Sequence, residues 1–205
     1  MIRIGLTGVF GSGKSTVCQI FKRMGIPVIS CDDIVDRLLK TKKIRQEIVR
    51  IFGKEYLDEN GQVNRKKLAN LIFSSEKERK KLNALIHPLV FERIEKKLDT
   101  YRKKGKMIVV VEVPLLFETR SENRFDVIIT VASPYEAIRE RLRNKYTSEE
   151  IRMRMNSQMP LDKKIALSDY VIDNSKSISE TTDVVKNVLD DIIRRKKIWL
   201  KKSKN

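Results

Sequence analysis

The first thirty residues combine two hydrophobic periods that belong to different secondary-structure elements. The short apolar segment from Ile2 to Leu6 contains β-branched residues and predicts a buried strand. A glycine-rich turn from Gly8 to Gly13 follows it. The next apolar residues recur at helical spacing and stop at Gly25: Val17, Ile20, Phe21 and Met24. Pro27 to Ser30 predicts a second strand, and such a βαβ unit predicts a parallel sheet.

The remaining chain divides into one long helical stretch and a second alternation of strands and helices. From Asp32 to about Lys104 the pattern is mostly helical, with breaks at Gly53 and at Asn60-Gly61. Three later segments predict strands: Met107 to Val113, Phe125 to Ala132 and Tyr170 to Ile172. Three others predict helices: one after Ser133-Pro134, one over Glu149 to Met159, and one over Ile178 to Leu200. The pattern as a whole predicts an α/β fold.

This order of elements suggests a core with two additions. The core is expected over residues 1–31, 105–142 and 162–200, and the helical stretch of about 32–104 is the candidate inserted lobe. The segment of about residues 143–161 contains a short, charged helical pattern and is the candidate mobile lid. A basic tail is expected over 194–205, and Trp199 is expected to pack the last helix against the body.

The turn after the first strand carries the clearest chemical signal in the chain. Residues 8–15 read Gly-Val-Phe-Gly-Ser-Gly-Lys-Ser and match GxxxxGK[ST] in full, between a predicted strand and a predicted helix. Glycines let such a loop curl so that several amides point at one phosphate chain, and the helix N-terminus adds a favourable dipole. Lys14 can reach the β- and γ-phosphates, and the Ser15 hydroxyl can hold Mg²⁺. The motif therefore predicts ATP binding with Mg²⁺.

Composition narrows the class of protein. The chain has 205 residues, of which 40% are apolar, and its formal net charge is +17. Such a charge favours anionic partners, either nucleic acid or phosphate-rich small molecules. The two cysteines, Cys18 and Cys31, form neither a CxxC spacing nor a disulfide framework, so reduced buried thiols are expected. No stretch is long enough to span a membrane and the N-terminus lacks a signal peptide, so we expect a cytoplasmic protein.

Four further polar residues are candidates for chemistry. Asp32 follows the second strand, where a carboxylate can accept the proton of an attacking hydroxyl or can simply cap the next helix; Asp33 is the competing base. Glu112 ends a predicted strand and could orient a Mg²⁺-bound water. His87 is the only histidine, and before Pro88 it could merely mark a helix interruption.

Several segments together resemble the dephospho-coenzyme A kinase family. Gly5 to Thr16 is similar to the family's opening, and residues 28–32 (Val-Ile-Ser-Cys-Asp) resemble its VIDAD segment. Residues 82–89 and 113–118 resemble its LNxLxHP and PLLFE segments. The positions that resemble its closing RxxxQ…K…ADxVIDN pattern are Arg154, Gln158, Lys164 and residues 168–174. The resemblance runs in the family's order from residue 2 to about 175.

This resemblance implies a P-loop NTPase fold with a five-stranded parallel sheet flanked by helices, a helical substrate lobe and a lid. The implied reaction transfers the γ-phosphoryl group of ATP to the ribose 3′-hydroxyl of dephospho-coenzyme A, the last step of coenzyme A synthesis. Asp32 is the implied base, and Arg141 and Arg154 lie in the helix and lid that contact phosphates. The implied substrate contacts also include His87, Pro88 and Leu115, and Ser15 and Glu112 are the implied metal site. The ATP-binding residues are Gly8, Gly11, Ser12, Gly13, Lys14, Ser15 and Thr16.

The chain departs from the family pattern at two charged positions. Ser30 stands where the first Asp of VIDAD is common, and Lys145 stands where a second arginine is usual. A lysine offers a point charge without the planar fork of arginine, so the resemblance does not extend a phosphate-binding role to Lys145.

Two other classes of function stay open on the sequence alone. One is a P-loop kinase for shikimate, a nucleoside or a nucleoside monophosphate. The other is a nucleic-acid-binding ATPase, which the high positive charge would suit, although the chain has no RNA- or DNA-binding signature. A GTPase is disfavoured because Asn144-Lys145-Tyr146-Thr147 lacks the aspartate of a base-reading motif. The sequence does not set the oligomeric state.

Overall fold

The protein consists of two compact units. The computed structural model describes residues 1–202, with every side chain except those of residue 73 and residues 196–202. The sheet unit comprises Met1–Ile29 and the chain from Lys104 onward, and the helical unit comprises Ser30–Lys103. Most of the predicted basic tail, including Trp199, therefore lies outside the side chains that the structure describes.

Five strands form one sheet in the order β2-β3-β1-β4-β5. Their bounds are β1 (Ile2–Thr7), β2 (Val28–Ser30), β3 (Ile108–Glu112), β4 (Val127–Ala132) and β5 (Tyr170–Asp173). β1 pairs in parallel with both β3 and β4, and β4 pairs in parallel with β5. The predicted parallel sheet is confirmed, and its central strand is the apolar segment that begins the chain.

The described residues also form nine α-helices. In chain order these are α1 (Lys14–Arg23), α2 (Cys31–Leu39), α3 (Lys42–Phe52), α4 (Arg65–Ser74), α5 (Glu76–Lys103), α6 (Tyr135–Leu142), α7 (Ser148–Asn156), α8 (Leu161–Ala166) and α9 (Ile178–Lys202). Two short 3-10 turns lie at Lys54–Tyr56 and Glu122–Arg124. None of the helices in this part of the chain combines the length and apolarity that crossing a membrane requires.

The core of the sheet unit lies between the sheet and two helices. Ile4 and Leu6 of β1 are fully buried, together with Phe21 of α1 and Val185 of α9. Gly5 faces the opposite side of the sheet, because side chains alternate along a strand, and a Cβ there would lie 2.7 Å from the Leu116 side chain. A central parallel strand that is buried on both faces explains why this segment reads as an apolar run rather than as an alternation.

The helical unit is organised around the long helix α5, which α2 and α4 both contact. The buried residues of α5 recur every fourth position: Leu82, Ile86, Val90, Ile94 and Leu98. This spacing keeps one apolar stripe along the helix and leaves its charged residues on the other faces. The unit therefore has an apolar core of its own under a highly charged surface.

Candidate active site

The turn between β1 and α1 depends on glycine for its shape. Gly8, Gly11 and Gly13 all have positive φ angles, of 150°, 77° and 89°. At Gly13 a Cβ would lie 1.9 Å from Nδ2 of Asn174, so no side chain fits there. The turn curls tightly, and α1 begins directly after it at Lys14. The amides and the positive dipole end of α1 are thereby brought to the loop, as anion binding requires.

Lys14 and the two residues after it supply polar groups at the start of α1. The Lys14 ammonium group donates hydrogen bonds to the carbonyl oxygens of Gly8 at 2.9 Å and Val9 at 3.0 Å. Ser15 is exposed, and the amide of Thr16 donates to the Gly13 carbonyl at 3.0 Å. A cation inside the curl and a hydroxyl at the helix start fit a phosphate chain and a hard metal ion such as Mg²⁺.

Ser12 holds a buried hydroxyl that has no hydrogen-bond partner among the described residues. Its Oγ atom lies 2.7 Å from the position that a Cβ on Gly8 would take. Leaving a buried hydroxyl unpaired costs about 1–3 kcal/mol, so a polar group in this place calls for an explanation. A phosphate oxygen bound in the loop would accept a hydrogen bond from this hydroxyl, so the unpaired hydroxyl fits the predicted nucleotide site.

A hydrogen-bonded cluster formed by Ser133 after β4, Asn174 after β5 and Arg141 of α6 supports the loop. The Ser12 carbonyl accepts a hydrogen bond from Nδ2 of Asn174 at 3.0 Å and lies 3.2 Å from Oγ of Ser133. Arg141 donates to Oγ of Ser133 at 3.0 Å and to the Asn174 carbonyl. Its Nη1 atom lies 3.6 Å from where a Cβ on Gly13 would be, so the guanidinium group borders the loop.

Helix α7, in the predicted lid, is well defined at its start and anchored by one buried side chain. Thr147 and Glu150 form a capping box, in which each side chain accepts a hydrogen bond from the other residue's amide. Ile151 is fully buried in a small apolar cluster with Val9 and Ile138. Because Val9 belongs to the phosphate-binding loop, α7 packs directly against that loop.

Arg154 of α7 lies over two aromatic rings. Its Cζ atom is 5.3 Å from the ring centroid of Phe10 and 4.7 Å from that of Tyr146. The two rings meet edge to face, with centroids 5.3 Å apart. Oε1 of Gln158 accepts a hydrogen bond from the Phe10 amide at 2.7 Å. Phe10, in the middle of the loop, therefore contacts the predicted lid through both its ring and its backbone.

Glu112 ends β3 opposite Leu6 and contacts the buried thiol of Cys18. Burial, and then the negative charge of Glu112, raise the pKa of Cys18 to about 12, so the thiol keeps its proton and donates a hydrogen bond to the carboxylate. Cys18 and Cys31 are both buried, and neither of them forms a disulfide. Within residues 1–202 no group of three or more His, Cys, Asp and Glu side chains is placed to hold a metal ion. Mg²⁺ at Ser15 and Glu112 would thus depend on water and phosphate oxygens, as is usual for this ion.

An ion pair joins the turn after β3 to α8 through two residues whose contact the sequence does not predict. Lys164 of α8 is fully buried, and its ammonium group lies 2.8 Å from the Glu118 carboxylate and 3.2 Å from the Pro114 carbonyl. Glu118 also accepts a hydrogen bond from the Met159 amide at 2.8 Å. Leu115, predicted to contact substrate, is half-buried in the same turn. The pair thus links this turn to the segment that follows α7.

Replacing Lys164 with methionine is expected to lower the free energy of unfolding by about 1–2 kcal/mol, because the partly exposed Glu118 would lose its counter-ion and the Pro114 carbonyl would lose its donor. Denaturant unfolding at neutral pH measures the difference. Lys163→Met is the control, because Lys163 is the exposed neighbour in the same helix. Equal stability of the two variants would contradict a structural role for the ion pair.

In the helical unit, Asp32 lies in the first turn of α2 but is not its cap. The N-cap is Ser30, whose hydroxyl accepts a hydrogen bond from the Asp33 amide at 3.4 Å. Ser and Asp are both good N-cap residues, which explains why a serine can stand at this position. The alternative that Asp32 serves only as a helix cap is therefore wrong. The side chains of Asp32 and Asp33 are both exposed.

His87 and Pro88 do not interrupt a helix, contrary to one of the two sequence interpretations. Helix α5 runs unbroken through both residues. Pro88 removes one hydrogen bond to Ala84, but both residues are exposed, so water can satisfy the Ala84 carbonyl. His87 is half-buried, and burial lowers the pKa of its imidazole below the usual 6.5. His87 is therefore neutral at pH 7.

Comparison with known proteins identifies the family. The family model described as dephospho-CoA kinase matches residues 2–180. The chain is 38% identical over 196 residues to a dephospho-CoA kinase of Aquifex aeolicus, covering 95% of this chain and 99% of the relative. It is 40% identical over 189 residues to one of Bacillus cereus, covering 91% and 94%. The chain belongs to the dephospho-CoA kinase family. A crystal structure from Thermus thermophilus, 32% identical, superposes with a TM-score of 0.81 and covers 93% of this chain and 97% of its own.

Membership of the dephospho-CoA kinase family confirms the resemblance inferred from the motifs. The segments quoted for it contain Glu118, Lys164 and Asn174, whose contacts only the structure reveals. Phe10 and Tyr146 carry no signal in the sequence, because nothing in the spacing of the two residues predicts that their rings meet.

Proposed function

We propose that this chain transfers the γ-phosphoryl group of ATP to the ribose 3′-hydroxyl of dephospho-coenzyme A, giving coenzyme A and ADP. The observation that carries the proposal is a complete phosphate-binding loop at residues 8–15, in a chain that the dephospho-CoA kinase family model matches over residues 2–180. The acceptor is thus a small molecule, and the reaction is the last step of coenzyme A synthesis. The cytoplasmic location stays a prediction.

The loop residues bind the triphosphate of ATP. The amides that the positive φ angles of Gly8, Gly11 and Gly13 expose would donate to phosphate oxygens, and Ser12 would donate its unpaired hydroxyl. When ATP binds, the Lys14 ammonium group releases the Gly8 and Val9 carbonyls and contacts the β- and γ-phosphates instead. The position of the Lys14 ammonium group beside these loop carbonyls supports this role.

Ser15 and Glu112 are the residues that would hold Mg²⁺, Ser15 directly and Glu112 through water. When bound, the ion neutralises charge on the β- and γ-phosphates. The Cys18 thiol is a hydrogen-bond donor to the Glu112 carboxylate.

Asp32 is the proposed base. As the oxygen of the 3′-hydroxyl forms its bond to the γ-phosphorus, the bond from that phosphorus to the bridging oxygen of ADP breaks, and the hydroxyl proton passes to the carboxylate. Asp32 is exposed in the first turn of α2, whose N-cap is Ser30. The proposed contacts with dephospho-coenzyme A also include His87, Pro88 and Leu115. The proposed substrate lobe comprises residues of about 32–104.

Two arginines, Arg141 and Arg154, are proposed to stabilise the negative charge of the transferred phosphoryl group. The proposed lid comprises residues of about 143–161. Arg141 borders the loop at Gly13, and Arg154 lies against Phe10. A kinase must keep water from the γ-phosphate, and a cationic lid can exclude water while it stabilises the equatorial oxygens of the transition state.

Arg154→Ala is expected to lower kcat by about 10²-fold or more while weakening ATP binding far less, because a transition-state contact is lost. Steady-state kinetics with varied ATP gives both quantities. Arg139→Ala is the matched control: Arg139 is exposed on α6 and should behave like wild type. If Arg154→Ala were fully active, and hydrogen exchange across residues 143–161 were unchanged by a non-hydrolysable ATP analogue with acceptor, this segment would not be a catalytic lid.

The choice of acceptor is tested by ADP release with dephospho-coenzyme A, adenosine, AMP and shikimate. Dephospho-coenzyme A alone should stimulate ADP release strongly. Preference for shikimate, adenosine or AMP would indicate another kinase of the same fold. Stimulation by duplex DNA, with binding that weakens steeply with salt, would favour a nucleic-acid-dependent ATPase.

A further inference from the structure

Phe10 occupies a position of the phosphate-binding loop that the motif leaves unspecified. Phosphate binding uses the loop's amides, so nothing in that chemistry requires an aromatic ring there. The ring nevertheless lies edge to face on Tyr146, and the guanidinium group of Arg154 lies within 5.3 Å of both centroids. A hydrogen bond from the Phe10 amide to Gln158 fixes the backbone beneath the ring.

We propose that Phe10 and Tyr146 are positioning residues that act through Arg154, holding its guanidinium group beside the phosphate-binding loop before phosphoryl transfer. The inference rests on the proposed role of Arg154 in that transfer. The two rings and the arginine come from the loop, from the segment before α7, and from α7, so their contacts join the lid to the loop.

The physical basis is attraction between a cation and the faces of aromatic rings. A guanidinium group over an aromatic ring is stabilised by the ring quadrupole, and arginine's planar group suits such stacking. An arginine side chain otherwise samples many rotamers, and ordering it at the moment of reaction would slow the chemical step. Two rings that restrict the group beforehand reduce this cost. The buried Ile151, one turn before Arg154, keeps the helix in place while they do so.

A simpler explanation is that both rings only contribute to packing. Phe10 and Tyr146 are half-buried beside the apolar cluster of Val9, Ile138 and Ile151. Removing a ring from such a cluster could loosen the loop without any involvement of Arg154. The two explanations differ in one measurable respect: an effect that passes through Arg154 must vanish once Arg154 has been removed.

The test is a double-mutant cycle on the full chain, with kcat measured at saturating ATP and dephospho-coenzyme A. Phe10→Leu keeps an apolar side chain but no ring, and should lower kcat about three- to tenfold with little change in the KM for ATP. In the Arg154→Ala background, Phe10→Leu should cause no further loss. Tyr146→Leu should behave like Phe10→Leu, and Tyr146→Phe, which keeps the ring, should recover the activity that Tyr146→Leu loses.

Each outcome has a distinct meaning. If Phe10→Leu lowers kcat by the same factor in both backgrounds, the rings act through packing and the inference is wrong, while the role of Arg154 stands. If Arg154→Ala alone is fully active, the proposed role of Arg154 fails, and the inference fails with it. Thermal unfolding verifies that each variant is folded, and should Phe10→Leu not fold, the same cycle run with Tyr146→Leu decides the matter.

Discussion

Lys14→Ala is expected to lower kcat/KM by about 10³-fold or more, which leaves no readily measurable phosphoryl transfer. The Lys14 ammonium group lies inside the loop, within 3.0 Å of the Gly8 and Val9 carbonyls. Its removal takes away the cation that faces the β- and γ-phosphates, and it also leaves two loop carbonyls without their donor. Both changes oppose the accumulation of negative charge, so binding of ATP and the chemical step should suffer together.

The measurement is ADP release with dephospho-coenzyme A as acceptor. Lys22→Ala is the matched control: Lys22 is an exposed lysine in the last turn of the same helix and should leave activity unchanged. Near-normal activity of Lys14→Ala would rule out a mechanism based on the phosphate-binding loop. Equal losses in both variants would mean that the assay reports the net charge of the protein rather than this site.

Asp32→Asn is expected to lower kcat by about 10²–10⁴-fold while ATP still binds, because an amide cannot accept the proton of the attacking hydroxyl. Asparagine has nearly the same size as aspartate, and Ser30, not Asp32, caps α2. The substitution should therefore leave the helix intact, and the loss should appear in the chemical step. Single-turnover kinetics with saturating ATP separates that step from binding.

Asp33→Asn provides the comparison within the same helical turn. Asp33 is likewise exposed, and its amide donates to Ser30 whichever side chain the residue carries. We expect a milder effect of this variant on kcat. If Asp33→Asn were inactive while Asp32→Asn kept most of its activity, the assignment of the base would be wrong.

Much of the fold can be predicted from the sequence because its elements are set locally. The apolar run from Ile2 to Leu6 becomes the central strand of a parallel sheet, and burial on both faces is the reason for its uniform composition. Helix boundaries are less predictable. The helix predicted over residues 149–159 ends at Asn156. The Met159 amide donates to Glu118 rather than to a carbonyl of the helix, and Pro160 disfavours helix in the residue before it.

The candidate site likewise has one part that the sequence predicts and one part that it does not. The spacing of residues 8–15 alone predicts phosphate binding, because glycines, lysine and serine must stand in a fixed order to surround a phosphate. The supporting contacts give no such signal. Asn174 meets the Ser12 carbonyl across 162 positions of sequence, and Lys164 meets Glu118 across 46. Contacts of this kind arise only when strands far apart in the chain become neighbours in the sheet.

The helix through His87 shows where a local rule gives the wrong result. A proline disfavours helix in the residue before it, yet α5 continues through Pro88. The buried stripe from Leu82 to Leu98 extends across the proline, and its packing outweighs the loss of one hydrogen bond on an exposed face. The sequence contains both signals, but only the packed unit shows which of them is stronger.

The position of the transferred phosphate tests the central claim most directly. Dephospho-coenzyme A should be incubated with ATP, Mg²⁺ and the full chain, and the product analysed by mass spectrometry and phosphorus NMR. The account predicts one new phosphate monoester on the ribose 3′-oxygen, formed in equal amount to ADP, and no phosphorylation of an analogue that lacks the 3′-hydroxyl. A phosphate on any other oxygen, or ADP formed without a phosphorylated acceptor, would contradict it.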